Sequence, residues 1–315
     1  MKTHLKKLVL FLGVSVALFA VISLLMSVNI VNAYYKRILM TICINVILAL
    51  SANLIINYTG QLTLGHSAFM AVGAYAAAAL NRAGVPFVAA LLLGSAVAGV
   101  FGFLIGLPTL RLKGDYLAIT TLGFCQIIVV LLQNITQFGG AQGMTGIPGK
   151  TTFAWVYFSM ILTILVLRNV VDSRQGRAMV SVREDEIAAE AMGVDTTRYK
   201  VMAFTIGAIF AGLAGGLYAF LMMFINPTMF DYFKSIDLVI YVVLGGSGSF
   251  AGCISATAIL TLLPEALRFL DNYRMVIYPL LLIVIMILRV KKIRPAFGKA
   301  LLRRLGKGGE KNAAS

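Results

Sequence analysis

The stretch GRAMVSVREDEIAAEAMGVDTTRYK, residues 176–200, forms most of a charged segment, 172–200, in a chain that is otherwise strongly apolar. One apolar run ends near Val171 and another begins at Val201. Hydrophobic residues make up 60% of the 315-residue chain and charged residues only 12%, a composition that excludes an ordinary soluble globular protein. A long, charged, helix-forming stretch between two apolar runs predicts a loop at the membrane surface on which a soluble partner can dock.

Apolar runs of about 20 residues recur along the chain, and each is long enough to cross a bilayer core as an α-helix. The predicted spans are 8–30, 38–58, 62–80, 85–107, 115–134, 151–170, 201–226, a glycine-interrupted stretch at 236–270, and 275–290. The fold class is therefore predicted to be all-α: a polytopic helical membrane protein of about 8–10 spans with broken helices. We divide it into an N-terminal span with the first external loop (1–37), a transmembrane domain (38–290) and a basic cytoplasmic tail (291–315).

The net charge of +15 is explained by membrane orientation, without a nucleic-acid partner. With the N-terminus in the cytoplasm and 236–270 folded as two short spans, most Lys and Arg residues fall in loops that are predicted to be cytoplasmic. We therefore expect a multi-pass membrane protein with both termini in the cytoplasm. The basic tail is expected to contact anionic membrane lipid.

Small residues recur at every fourth position in two of the spans, which lets neighbouring helix backbones approach closely. These stripes are Gly94, Ala98, Gly102 and Gly106, and Ala208, Gly212 and Gly216. The cysteines Cys43, Cys125 and Cys253 fall inside predicted spans without a CxxC pair, so we expect them to be buried packing residues.

The sequence predicts no catalytic residue and no metal site. The tripeptide GKT at 149–151 resembles the end of a phosphate-binding loop, but Met144 stands where that motif requires glycine. The only histidines are His4 and His66, which cannot form an imidazole cluster. We expect this chain to bind no cofactor; if ATP drives the protein, another chain must bind it.

Carboxylates are almost absent from the apolar runs, whereas proton-coupled carriers need them inside the membrane. Asp115, Asp237 and Glu265 all lie near the ends of predicted spans. Glu265 is expected to form a structural ion pair with Arg268, one helical turn later.

Two breaks, at 58–61 and at 245–252, interrupt the apolar runs. Interrupted spans point to translocation pathways, because non-helical backbone at membrane depth must be satisfied by protein or by a water-filled cavity. The second break has two interpretations, a part of such a pathway or a tight cytoplasmic hairpin. Neutral polar residues are candidates for the pathway, although each could instead be a packing or interhelical hydrogen-bonding group: Asn53, Asn57, Gln61, His66, Thr120 and Thr121.

Within the charged segment, the pattern predicts a short helix from Glu184 to Met192. Acidic residues stand in its first turn, where the helix dipole favours them, and Gly193 follows as a typical stop. One face of this helix is apolar and lies opposite the glutamates, a pattern that favours docking into a groove on a soluble domain over a solvated loop. The apolar residues are Ala188, Ala191 and Met192, and the glutamates are Glu186 and Glu190.

The same residues resemble a known family. IAAEAMG at 187–193 is similar to the EAA loop of ABC importer permeases, with Ile187 in place of the first Glu and Glu186 one position earlier. The stretch from 183 to 219 is similar to membrane subunits that import branched-chain amino acids, of the LivM type. Three further blocks share this similarity in the same order: NYTGQLTLGHSAFMAVGAYAAA (57–78), LRLKGDYLAITTLGF (110–124) and VVLGGSGSFAG (242–252).

The resemblance implies a permease subunit that pairs with a homologous second permease subunit, two cytoplasmic ABC ATPase subunits and an extracytoplasmic amino-acid-binding protein. ATP and Mg would be used by the ATPase subunits. The segment 183–193 would be the coupling helix, with contacts from Arg183, Glu186, Ala188, Ala189, Glu190 and Gly193. The resemblance also adds candidates for backbone close to the pathway: Gly65, Gly245, Gly246 and Ser247.

The expected function is therefore import of Leu, Ile or Val across the inner membrane by a subunit that is not itself an enzyme. A urea or short-chain amide permease of the same architecture is the alternative. In a different class, a stand-alone secondary amino-acid carrier is also considered, and uptake by this chain alone in proteoliposomes would identify one.

Overall fold

The computed structural model describes residues 32–109, 112, 114–246 and 248–268, together with isolated residues in 13–23 and 277–287. Apart from those isolated residues, the predicted spans 8–30 and 275–290 lie outside the described part of the chain, as does the tail 291–315. Contacts divide the chain into two units, 1–261 and 262–315. The second unit contributes the end of one helix, where Arg268 Nη1 lies 3.4 Å from Glu265 Oε1, which confirms the predicted pair.

In the described ranges the chain forms ten α-helices. They are α1 (Ala33–Asn53), α2 (His66–Arg82), α3 (Phe87–Thr109), α4 (Asp115–Asn134), α5 (Phe153–Asp172), α6 (Arg174–Glu184), α7 (Glu186–Ala191), α8 (Thr196–Met222), α9 (Tyr232–Gly245) and α10 (Phe250–Ala266). A π-helical turn, Leu54–Tyr58, continues α1. Among these residues there is no strand, and one isolated β-bridge joins Met144 to Ile225. The prediction of an all-α fold is confirmed.

Five of these helices are long and apolar enough to cross a membrane: Ala33–Tyr58, Phe87–Pro108, Asp115–Asn134, Phe153–Asp172 and Thr196–Met222. The apolar α10 is shorter. α2 and α9 are also short, with 17 and 14 residues. Several predicted boundaries were wrong, because hydropathy does not reveal where a helix begins within an apolar run. α1 begins at Ala33, α2 begins at His66 after an irregular stretch, and α8 ends at Met222.

α8 lies at the centre of the bundle, against α1, α2 and α3. The predicted small-residue stripes make these contacts close: a Cβ on Gly102 would overlap Ala208, and one on Gly73 would overlap the Gly212 backbone. The stripes therefore bring helix backbones together as predicted. The three cysteines named above are buried and free.

The loops gather at two ends of the bundle. At one end, which we call the charged end, the charged segment meets the break after α1: Arg183 Nη1 donates to the Asn57 carbonyl at 2.8 Å. At the far end, the Met144 N–H donates to the Ile225 carbonyl at 2.8 Å, and Asn226 Nδ2 donates to the Ala141 carbonyl at 3.0 Å.

Within the break at 245–252, α9 ends at Gly245 and α10 begins at Phe250, as the two-span hypothesis for 236–270 requires. α9 begins at Tyr232, however, so Asp237 lies in the second turn of a helix and not at the predicted end of a span.

Candidate functional site

The charged segment folds as two helices and not as one. The Ser173 side chain accepts hydrogen bonds from the Gln175 and Gly176 N–H groups at 3.2 and 3.3 Å and begins α6. Asp185 is extended, and its Oδ1 accepts from Ile187 and Ala188 at 3.0 Å each, which begins α7. The predicted helix from Glu184 to Met192 was therefore wrong at its start, because the aspartate caps a new helix and does not continue the first one.

The end of α7 is where the sequence predicted it. Gly193 has φ +82°, a left-handed conformation that favours glycine. Its N–H donates to the Glu190 carbonyl at 2.9 Å, and the Val194 N–H donates to the Ala189 carbonyl at 3.0 Å. These two bonds form a Schellman motif, which satisfies carbonyl groups that a helix end would otherwise leave unpaired.

One face of α7 is apolar and open. Ile187 is 74% exposed and Met192 is 84% exposed, and Ala188 and Ala191 are exposed beside them. We call these four residues the α7 face. Ala189 points inward and is buried. Large apolar side chains that remain exposed on a charged surface are typical of a protein-binding site.

Polar contacts attach α7 and the end of α6 to the bundle. Lys200 Nζ, on the first turns of α8, lies 2.7 Å from Glu186 Oε1, and the lysine side chain is almost fully buried. Arg183 pairs with Glu184 and also donates to the Asn57 carbonyl. The Lys200–Glu186 pair is largely shielded from solvent and ties α7 to α8, whereas the Arg183–Glu184 pair is mostly exposed and contributes little to holding the segment.

A cavity of about 220 Å³ separates the charged segment from the irregular backbone that follows α1. Its walls are Thr59, Gly60, Gln61, Leu62, Leu112, Gly114, Leu117, Val182, Arg183, Glu184, Asp185, Glu186 and Lys200. Two of the predicted coupling residues, Arg183 and Glu186, therefore line one space with the first predicted break.

Irregular backbone at 59–65 leads from the charged end back into the bundle. Thr59 Oγ1 donates to the Ile55 carbonyl at 2.6 Å, and the Gln61 N–H donates to the same carbonyl at 3.2 Å. α2 then begins at His66 beside Ser51, which lies about 10 Å along α1 from Tyr58 at 1.5 Å per residue. The first break is thus a non-helical segment that extends from the charged end into the bundle.

His66 is held in one orientation by α1. Its Nε2 lies 2.7 Å from Ser51 Oγ, and Ser51 Oγ donates its own proton to the Leu48 carbonyl at 2.8 Å. The serine oxygen must therefore accept from Nε2–H, so Nδ1 carries the free lone pair. No described residue donates a hydrogen bond to Nδ1.

Gly65 and Thr121 fix the start of α2 against α4. Thr121 Oγ1 accepts from the Leu64 N–H at 3.0 Å and donates to the Ala118 carbonyl at 3.0 Å. A Cβ on Gly65 would overlap the Thr121 carbonyl oxygen. Thr120 is exposed and takes no part in this contact.

Three of the predicted pathway residues carry buried polar atoms that have no partner among the described residues. These atoms are Asn53 Nδ2, Gln61 Nε2 and His66 Nδ1. Asn57 joins this group, because its Nδ2 donates to Asn53 Oδ1 at 2.6 Å. We call Asn53, Asn57, Gln61 and His66 the polar strip. A buried polar atom without a hydrogen bond is costly, so this strip suits contact with water or a polar solute.

The glycine turn between α9 and α10 lies at the charged end, where the Tyr58 hydroxyl donates to the Gly248 carbonyl at 2.9 Å. A Cβ on Gly245 would come within 2.5 Å of Cys253 Cα, so the two helices meet closely at this point. Gly246 has φ +91° and ends α9. Ser247 lies outside the described residues.

A polar cluster on α9 was missed by the sequence prediction. Lys234 Nζ donates to Asn45 Oδ1 at 3.2 Å, and Asn45 Nδ2 donates to Thr261 Oγ1 at 3.2 Å. The predicted spans 201–226 and 236–270 left Lys234 in the loop between them. Asp231, three residues earlier, is a typical N-cap residue and was the one local signal for an earlier helix start.

A helical bundle with broken helices and buried polar atoms that lack partners is typical of membrane permeases. A family model described as "Branched-chain amino acid transport system / permease component" matches residues 34–287. The chain belongs to this family.

Individual relatives agree with the family match. The chain is 36% identical over 288 residues to the high-affinity branched-chain amino acid transport system permease protein LivM of Salmonella typhimurium, covering 80% of this chain and 68% of the relative. It is 28% identical over 201 residues to the probable LivM protein of Methanocaldococcus jannaschii, covering 56% and 57%. It is 26% identical over 289 residues to the ribose import permease protein RbsC of Bacillus subtilis, covering 86% and 87%. No solved structure matches the chain significantly.

Proposed function

We propose that this chain is one permease subunit of an ATP-driven importer that carries leucine, isoleucine or valine across the bacterial inner membrane. The observation that carries the proposal is the α7 face: an exposed apolar surface on a short helix that the Glu186–Lys200 ion pair attaches to α8, beside the irregular stretch 59–65. A soluble partner on that face could transmit force directly into the bundle.

The contacts suggest how force would travel. An ATPase subunit that closes on ATP would move α7, and Glu186 would carry that movement to α8 through Lys200. Arg183 would carry it to the end of α1 through the Asn57 carbonyl. Both connections border the irregular stretch 59–65, so movement there would open the polar strip to one side of the membrane and then to the other.

The partners follow from what this chain would need. Two cytoplasmic ABC ATPase subunits would bind ATP and Mg, a homologous second permease subunit would complete the pathway, and an extracytoplasmic binding protein would deliver the amino acid. The charged end would then face the cytoplasm, as would both termini. This chain would contribute the pathway and the docking surface, and no catalytic group.

The relatives support an amino acid over a sugar as cargo. The Salmonella protein, whose name states branched-chain amino acid transport, is 36% identical to this chain. The ribose permease, although it matches over more of the chain, is 26% identical.

The decisive experiment combines this chain with its partner subunits and changes the α7 face. Met192→Asp places a charge where an apolar contact is proposed. We expect that the ATPase subunits no longer co-purify with this variant and that ATP-driven leucine uptake is also lost. Met229→Asp, on an exposed methionine at the far end, is the matched control and should leave both unchanged. If Met192→Asp leaves co-purification and uptake intact, the docking assignment is wrong. Leucine uptake by this chain alone in proteoliposomes would instead indicate a secondary carrier.

A further inference from the structure

Lys234 is a cation inside the bundle. It stands in the first turn of α9, and its Nζ donates to Asn45 Oδ1 on α1 at 3.2 Å. Asn45 is 4% exposed, and its Nδ2 is engaged by Thr261 Oγ1 on α10 at 3.2 Å. Three helices therefore meet at this lysine.

The position of Lys234 along the helices places it near the middle of the membrane. Tyr58 contacts Gly248 at the charged end, so the ends of α1, α9 and α10 that face the charged end lie at one level, from which distances toward the far end are counted. At 1.5 Å per residue, Asn45 lies about 20 Å above Tyr58, and Lys234 lies about 16 Å above the end of α9. Half of a bilayer core is about 15 Å. Both helices thus place the ammonium group within about 5 Å of the middle of the bilayer core.

The lysine has hydrogen-bonding capacity to spare. An ammonium group has three donors, and among the described residues Asn45 is the one side chain that accepts from it. None of the four ion pairs in the described ranges includes Lys234. A charge at this depth is expensive and is typical of a substrate pathway.

Asp237 is one turn further along α9, and it too is absent from those four ion pairs. Residues three apart on a helix lie on neighbouring positions of its surface. The pair therefore offers a positive and a negative group side by side that do not neutralise each other at contact distance.

The start of α9 is held rigidly, which fixes both groups. The Ser67 N–H donates to Ser235 Oγ at 3.0 Å, and Ser67 Oγ donates to the Asp231 carbonyl at 2.9 Å. Ser235 is fully buried. Binding groups on a backbone held in this way keep their geometry when the solute arrives.

We propose that Lys234 and Asp237 bind the two charged groups of a zwitterionic α-amino acid midway through the membrane. The Lys234 ammonium takes the carboxylate of the solute and the Asp237 carboxylate takes its ammonium, while Asn45 positions the lysine. This inference rests on the proposed function, because it supplies the contact that an amino-acid permease needs and a sugar permease does not.

The test uses the complete transporter in membranes, with radiolabelled leucine as the probe. Lys234→Met keeps most of the side-chain length without the charge, and we expect uptake to fall about tenfold or more, as loss of a charged hydrogen bond implies. Co-purification of the ATPase subunits and their ATP hydrolysis should persist. Lys150→Met, on an exposed far-end lysine, should leave uptake unchanged.

A second pair of variants separates solute binding from a structural role. Asp237→Asn is nearly isosteric, and we expect a similar loss of uptake in a complex that assembles; this variant carries the test if Lys234→Met does not assemble. The double variant Lys234→Met with Asp237→Leu removes both charges and should remain inactive. Recovery of uptake in the double variant would show that the two groups only balance each other and would overturn the inference.

Wild-type uptake in either single variant overturns this inference and leaves the proposed function in place. A wild-type complex that imports no branched-chain amino acid with ATP overturns the proposed function, and this inference with it.

Discussion

The short helices α7 and α9 both differ in polarity from their surroundings, but in opposite senses. Both begin at an aspartate cap, Asp185 and Asp231. α7 belongs to a charged segment outside the apolar spans, yet it exposes Ile187 and Met192. α9 belongs to the apolar bundle, yet it carries a cation. Each mismatch would be relieved by binding something that the chain itself lacks: a soluble protein for α7 and a charged solute for α9.

The stretch 59–65 connects these two regions. At its beginning, Gly60 and Gln61 border the cavity beneath the charged segment. At its end, Ser67 bonds to the start of α9. If α7 and α9 act together, changes in this stretch should disturb the connection without altering either helix.

The largest effect is expected for Gly65→Val. The added side chain would overlap the Thr121 carbonyl oxygen, and overpacking of this kind typically costs about 1–3 kcal/mol. We expect loss of leucine uptake and a lower Tm of the purified subunit, because α2 must shift away from α4.

Gly123→Val is the control for this change. Gly123 lies inside α4, the helix that Gly65 packs against, but nothing stands within 4 Å of its Cβ position. Uptake and Tm should stay close to wild type. Equal behaviour of the two valine variants would show that the close contact at Gly65 does not matter.

A smaller effect is expected for Arg183→Gln, which removes the hydrogen bond between α6 and the end of α1 and leaves α7 and α9 in place. The arginine donates to the Asn57 carbonyl at 2.8 Å, and a partly exposed charged hydrogen bond contributes about 1 kcal/mol. Uptake should fall several-fold while the ATPase subunits still co-purify.

Arg198→Gln provides the comparison for Arg183→Gln, since Arg198 is exposed at the same end of the bundle. It should transport normally. If Arg183→Gln also transports normally, movement of α7 does not reach α1 through this bond.

Local chemistry explains which of these features the sequence could predict. The stop at Gly193 was predictable because a left-handed glycine after a helix is a local signal. The polar strip was predictable because Asn53, Gln61 and His66 stand out in apolar runs. The start of α7 was not, because Asp185 can continue a helix or cap a new one, and the charged pattern fits both.

The α9 cluster could not be predicted from local sequence at all. A lysine and two aspartates at 231–237 lower the hydropathy of the window, so the pattern favours a loop. What makes this stretch a helix inside the bundle is contact with Ser67 and Asn45, which are distant in the chain. Such contacts exist only once the fold has formed.

The smallest expected effect is that of Asp185→Ala, which tests how well α7 must be formed to dock. The Asp185 carboxylate accepts from the Ile187 and Ala188 N–H groups, and loss of an N-cap costs about 1 kcal/mol of helix stability. α7 would fray, amide hydrogen exchange from Ala188 to Gly193 would quicken, and the affinity for the ATPase subunits would fall a few-fold. Asp185→Asn should retain both properties because asparagine caps equally well. Faster exchange with unchanged affinity would mean that the partner binds α7 without needing a preformed helix. In that case α7 and α9 would differ in rigidity as well as in polarity.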